Sequence, residues 1–226
     1  MIRTTYYGHS CFAFEVADIK VLIDPFISGN PLAGKIDPSS IKPEYIFLTH
    51  GHGDHVSDVE LIASKEMPVI ANFEVAEWFS KKGLNAKGMN PGGVYKAPFG
   101  KVRFVSAVHS SSMPDGAYGG VACGFVFMTE ESTFYVSGDT GLTLDMKLIP
   151  EICGTIDFCI LPIGGHFTMD VEDAIRAAKM INCRKMIGCH YDTFLPIKID
   201  HQEAMKKCSN AGIDLKLPEI GEVFEF

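Results

Sequence analysis

The 226-residue sequence is short of several things, and each shortage closes off a class of protein. No apolar run approaches the roughly 18 residues of a membrane-spanning helix, so no membrane span is expected. The N-terminus offers one arginine and enters a strand pattern at once, without a secretory apolar core or small-residue cleavage site. Cysteines number seven, an odd count, and no Cys-x-x-Cys occurs. Reduced thiols in a cytoplasmic protein account for this better than disulfides do. Basic residues are outnumbered, 20 against 28 acidic, for a formal net charge of −8. No Lys/Arg cluster has the footprint of a nucleic-acid partner. The single tryptophan, Trp78, stands beside Phe79 in an expected helix and reads as packing. No Pro/Ser-rich linker divides the chain, so its length and 46% hydrophobic content fit one domain over 1–226.

What is present is concentrated at one place. Residues 49–58 read Thr-His-Gly-His-Gly-Asp-His-Val-Ser-Asp, directly after the apolar run Tyr45-Ile46-Phe47-Leu48. An apolar run of that kind is a short buried strand, and the loop leaving it is where functional groups are presented. His50, His52, Asp54 and His55 thus form an H-x-H-x-D-H cluster of imidazole and carboxylate, a donor set suited to zinc, manganese or iron. Asp54 and His55 are expected to point away from His50 and His52, which implies two cations sharing one loop. Further ligands follow by the same grammar of an apolar strand ending in a ligand type. His109 ends the run from Val102, Asp139 the run from Thr133, and His190 the run from Lys185. Four strands ending in ligands place the site along one rim of a layered α/β enzyme.

These motifs, from Gly8-His9-Ser10 to His190, resemble those of the metallo-β-lactamase superfamily of hydrolases over nearly the whole chain. The resemblance implies that His50, His52 and His109 bind one metal, that Asp54, His55 and His190 bind a second, and that Asp139 bridges them. Tyr7-Gly8-His9-Ser10, Leu22-Ile23-Asp24-Pro25, His109-Ser110-Ser111-Ser112 and the stretch Leu161 to Met169 resemble one branch. It holds metal-dependent hydrolases related to L-ascorbate 6-phosphate lactonases and N-acyl-phosphatidylethanolamine phospholipases D.

The periodicity predicts strands at Thr4–Tyr7, Cys11–Val16 and Lys20–Ile23, a helix over Val56–Lys65, and a strand then a helix near 68–82. Strands near 93–97 and 101–108 follow. The plan then repeats, with strands at 121–128 and 133–137, a helix near 142–151 and a strand at 157–161. A helix capped by Asp170 comes next, with Val171, Ala174, Ile175 and Ala178 as its buried stripe, then a strand to Cys189 and a helix near 200–209. A β-then-α pattern occurring twice predicts two mixed sheets packed face to face and covered by helices: a four-layer αββα sandwich.

Other residues carry open alternatives. His9, in a Gly-His-Ser turn, is placed at the pocket rim as a substrate or proton-transfer group, or is a polar turn residue. His166, in a Gly-Gly-His loop before a helix, is an anion-binding or proton-transfer group, or a helix cap. Asp24 is expected to accept a hydrogen bond from the ligand loop and Asp192 to orient His190; a turn is the alternative for each. Cys189, on the face opposite His190, belongs to the core.

The expected chemistry is hydrolysis of a lactone, ester or phosphodiester in a small molecule, with two divalent cations, zinc first and manganese or iron next, sharing a water of lowered pKa. Asp54 would hold that water's proton. Two dications less two aspartates and a hydroxide leave about +1 at the site, which suits an anionic substrate. A non-haem iron redox enzyme and a non-catalytic metal-binding protein are the rivals. The resemblance weighs against the first, whose relatives place a carboxylate where this chain has His52, and against the second because every ligand is present. The sequence leaves room for a homo-oligomer.

Overall fold

Phenylalanine fills the middle of the molecule. In the computed structural model, which describes residues 1–225, Phe12, Phe14, Phe47, Phe104, Phe125, Phe127, Phe134 and Phe158 are all fully buried in one cluster. Fully burying one such side chain stabilises by roughly 1.5–3 kcal/mol. The rings of Phe127, Phe134 and Phe158 stack in series, 4.8 Å apart at each step.

Two seven-stranded sheets face each other across this cluster. The first runs in the order β14 (Val223–Glu225), β1 (Arg3–Gly8), β2 (Cys11–Val16), β3 (Ile19–Ile23), β4 (Tyr45–Phe47), β5 (Val69–Asn72), β6 (Ala86–Met89). The second runs β13 (Asp214–Lys216), β12 (Lys185–Cys189), β11 (Phe158–Pro162), β10 (Thr133–Val136), β9 (Cys123–Met128), β8 (Gly100–Ser106), β7 (Val94–Ala97). Each is antiparallel on one side and parallel on the other. β1, β2 and β3 pair antiparallel and β3 to β6 parallel. β8, β9 and β10 pair antiparallel and β10 to β13 parallel. Consequently β1, β3 and β4 share a direction, as do β8, β10 and β12.

Helices cover both outer faces. α1 (Gly53–Val56), α2 (Val59–Ile62) and α3 (Phe73–Lys81) pack through Val56, Val59, Val75 and Phe79 onto the first sheet. α4 (Leu148–Cys153), α5 (Val171–Met180) and α6 (His201–Asn210) cover the second through a separate apolar cluster. Three apolar interfaces between four layers make the expected αββα sandwich. In α5, Val171, Ala174, Ile175 and Ala178 are buried while Arg176 and Lys179 face water, as the 3.6-residue period requires. The long helices start where a side chain accepts an otherwise unpaired amide: Asn72 from Val75, Asp170 from Asp173, Asp200 from Glu203.

Three details depart from the sequence expectation. The helix over Val56–Lys65 is two single turns, α1 and α2, because Asp58 between them turns inward. Its carboxylate accepts the amides of Ile27 and Ser28, holding the loop after β3. Strand β8 stops at Ser106, leaving Ala107 and Val108 in the loop before His109. The edge strand β6 was not expected: its sequence, Ala-Lys-Gly-Met, lacks an apolar alternation.

Candidate metal centre

The ligand loop leaves β4 extended and then coils for one turn. His50 and His52 lie on the extended part, with His52 capping α1 at ψ 148°, and Asp54 and His55 lie inside the turn. That change of backbone splits the motif into two directions. Nitrogen atoms of His50, His52 and His109 lie within 4.8 Å of one another. Ligand atoms of His9, Asp54, His55 and His190 make a second such group. Asp139 stands between them, with Oδ2 3.6 Å from His109 Nε2, 3.3 Å from His55 Nε2 and 2.9 Å from His190 Nε2. All seven side chains expected to hold metal therefore converge.

His190, alone of these seven, arrives on left-handed backbone, as do several of the other candidates. Among the described residues, eight non-glycine positions have positive φ, and five of them, His9, Asp24, His166, His190 and Asp192, were singled out from the sequence. A left-handed residue after a strand turns its side chain off the strand's alternation, and such outliers cluster at functional sites. Gly164 serves the same end by proximity: a Cβ there would collide with the His190 carbonyl oxygen.

Hydrogen bonds place the protons. The Thr49 hydroxyl donates to Asp24 Oδ2 at 2.7 Å, so towards His50 Nδ1, 3.0 Å away, it accepts. His50 thus carries its proton on Nδ1 and presents a bare Nε2, 3.0 Å from His52 Nδ1. Burial holds His50 well below the ordinary histidine range, and burial lowers His52 and His109 too, so the trio is neutral at pH 7. His55 gives Nδ1–H to Asp24 at 2.8 Å. Burial works to lower its pKa, but Asp139 and Asp24 prevail and raise it well above the usual value. Asp139 is held well below the usual carboxylate range, against burial, by His55 and His190. Asp54 is likewise lowered, burial notwithstanding, by a hydrogen bond from His9 and the charge of His55.

The donor set fits divalent cations. Three neutral imidazoles converge with no anion among them, and His55 Nε2, Asp139 Oδ1 and His190 Nδ1 are buried without a hydrogen-bond partner. Buried polar atoms left unpaired in this way require an explanation, and a bound cation supplies it for His55 Nε2 and Asp139 Oδ1. All donors are nitrogen or oxygen, as zinc, manganese and iron accept.

The remaining sequence candidates divide: His9 and Asp24 meet the ligands, while Asp192 and His166 do not. His9 is fully buried, with Nδ1 2.9 Å from Thr193 Oγ1 and Nε2 3.2 Å from Asp54 Oδ2; burial lowers its pKa to about 4. Asp24 joins His55 to the ligand-loop amide of Thr49. Asp192 does not meet His190: it accepts from Ile199 N and pairs with His201 Nε2 at 2.6 Å. His166 is exposed, its ring against Phe167, and it is Phe167 that reaches the centre. A cavity of about 250 Å³ opens there, lined by His52, Asp54, His109, Ser110, Asp139, Phe167 and His190. Two larger hollows, of about 440 Å³ beside Phe99 and about 470 Å³ beside Cys183, gather no convergent set of ligand atoms among the described residues. A search for ligand types passes over a phenylalanine; its exposed position beside Gly-Gly-His was the available signal.

A model of the β-lactamase superfamily domain matches residues 3–190, from the first strand to the last candidate ligand. A metal-dependent hydrolase of Flavobacterium johnsoniae is 52% identical over 225 residues, covering 99% of this chain and 100% of its own. One from Christiangramia forsetii is 50% identical over 226 residues, covering 99% of this chain and 100% of its own. Among solved structures, the metallo hydrolase Igni18 of the archaeon Ignicoccus hospitalis matches with a TM-score of 0.88 at 34% identity, covering 100% of this chain and 99% of that one.

Proposed function

Since the chain belongs to the metallo-β-lactamase superfamily, we propose that it is a metal-dependent hydrolase whose two divalent cations serve the cleavage of an ester-type bond, in a lactone, ester or phosphodiester, of a small molecule. His50, His52 and His109 would hold one cation, Asp54, His55 and His190 the other, and Asp139 both. The observation that carries this reading is the position of Asp139 Oδ2, within 3.6 Å of a nitrogen from each group. Zinc is the first choice, with manganese or iron as alternatives that the same donors accommodate.

When bound, the pair of cations supplies an activated water at neutral pH and a Lewis acid for the carbonyl or phosphoryl oxygen. The protein's own groups do the rest. Asp54 stays ionised and orients the water's proton. His9, neutral and buried behind it, holds the Asp54 carboxylate in place from Nε2 while Nδ1 is fixed by the Thr193 hydroxyl. His166, exposed beside Phe167 and outside the cavity lining, would meet only a leaving group that projects outward. Ser111 steadies the ligand loop by accepting from Gly51 N at 3.1 Å while donating to Gly119 O at 2.6 Å.

Among the described residues no helix is long and apolar enough to cross a membrane. The seven cysteines are free, which supports a reducing, cytoplasmic setting. Metal content and turnover of a panel of lactones, esters and phosphodiesters test the proposal together. About two zinc or manganese per chain with turnover is expected. Predominant iron with a visible absorption band would favour redox chemistry instead.

A further inference from the structure

The loops that build the centre share a composition that bears on its substrate. Residues 48–58, 107–122, 137–143, 163–170 and 190–197 contain no lysine and no arginine. They do contain carboxylates and large apolar side chains left in water: Val108, next to His109, is 58% exposed and Phe167 is 53% exposed. Phe194, 37% exposed, sets its ring 5.6 Å from that of His9. A substrate carrying a phosphate or carboxylate away from its reacting bond is normally gripped by arginine or lysine, and these loops supply neither.

Phe167 is placed, not merely exposed. Its loop is closed by Gly165 N donating to Met169 O at 3.0 Å and by a bridge between Gly164 and Asp170. Met169 N donates to Thr140 O at 3.0 Å, tying the loop to the residue after Asp139. Left-handed backbone at Gly165 and His166, φ +67° and +57°, then sets Phe167 as a wall of the cavity. The other six lining residues are candidate ligands or Ser110, so Phe167 is the one apolar surface the cavity offers. Binding sites combine such surfaces with a few convergent polar groups, and a volume of about 250 Å³ admits only a short substituent.

We propose that Phe167 is a specificity-determining residue that holds an uncharged apolar group beside the reacting bond, so that the substrates are small alkyl- or aryl-substituted esters or lactones and not phosphorylated ones. This rests on the hydrolase reading above.

The test uses metal-loaded protein and two readouts. One is kcat/KM across γ-butyrolactone, γ-hexalactone, γ-octalactone and a phosphorylated γ-lactone. The other is calorimetric affinity for acylhydroxamates from acetyl to octanoyl, which grip metal without turnover. Both should rise about two- to fourfold per methylene until the cavity is full. Phe167→Ala should abolish that slope and Phe167→Leu should keep part of it. No slope, a slope indifferent to Phe167, or preference for the phosphorylated lactone overturns the proposal. A Phe167-dependent hydroxamate slope without hydrolysis of any lactone, ester or phosphodiester leaves the apolar site standing and removes the hydrolase reading.

Discussion

Asp24 decides which proton His55 keeps: its Oδ2 lies 2.8 Å from His55 Nδ1, so a ring that yields one proton to a cation retains Nδ1–H and frees Nε2, beside Asp139. The same oxygen accepts from Thr49, whose hydroxyl does the equivalent service for His50. One buried carboxylate thereby sets the tautomer of a histidine in each group. Burial raises its own pKa, with His55 and Thr49 pulling the other way.

Asp24→Asn should weaken metal binding at the His55 group by about 10–100-fold, the usual effect of removing a partner behind a ligand. Thr49→Val should weaken the His50 group instead. Competitive titration with a chelating dye resolves the two. Equal effects of Thr49→Val on both groups would contradict a role confined to His50.

Removing a candidate ligand itself should do more. Asp139→Ala and His190→Ala should each lower metal content below that of the unaltered protein and reduce hydrolysis by well over about 100-fold, more than the loss of a supporting partner. Elemental analysis alongside turnover reads both. Full activity in both variants would remove the two-cation mechanism.

The two groups should load at different pH. Protons compete with metal for imidazole, and burial holds His50, His52 and His109 below the ordinary value of 6.5. Half-loading of this trio is therefore expected below pH 6.5. His55 is raised above its ordinary value by Asp139 and Asp24 against burial, so binding in its group must expel a proton and should need a higher pH than the trio at the same metal concentration. Metal content across pH 5 to 8, in buffers that do not chelate, gives one step for each group. A single step for both would refute the difference.

Asn72 links fold to centre. Its Oδ1 accepts from Val75 N at the start of α3, and its Nδ2 donates to Gly119 O and Val121 O on the loop that follows His109. Asn72→Ala removes a helix cap, takes the donor from Val121 O and leaves Gly119 O with the Ser111 hydroxyl alone, for a loss of about 2–4 kcal/mol. Urea denaturation measures it, and a loss below about 0.5 kcal/mol would show that water replaces the amide.

Much of this was legible because ligand chemistry and strand periodicity coincide. His50, His109, Asp139 and His190 each follow an apolar run, and parallel strand directions bring those ends together. Other features depend on tertiary contacts with no local signature. Asp58 breaks a run that reads as one helix because Ile27 and Ser28, thirty residues away in sequence, need an acceptor. Asp192 stands two residues from His190 yet turns to His201, since a left-handed backbone at both positions undoes the strand's alternation. The same conformation at His166 leaves the histidine outside and brings in its apolar neighbour, Phe167.

The candidate ligands belong to different walls of the sandwich. His50, His52, Asp54 and His55 follow β4 of one sheet, and His109, Asp139 and His190 follow β8, β10 and β12 of the other. Cations shared between them would act as rivets along a seam closed elsewhere by an apolar cluster rich in phenylalanine rings. The two kinds of fastening answer to different agents: chelators release the rivets and leave the rings alone, while cooling weakens the rings and leaves the rivets. Stripped of metal, the protein should open like a book from that edge, with amide exchange quickening first at the strand ends that bear the ligands and last at Phe134, deep in the binding.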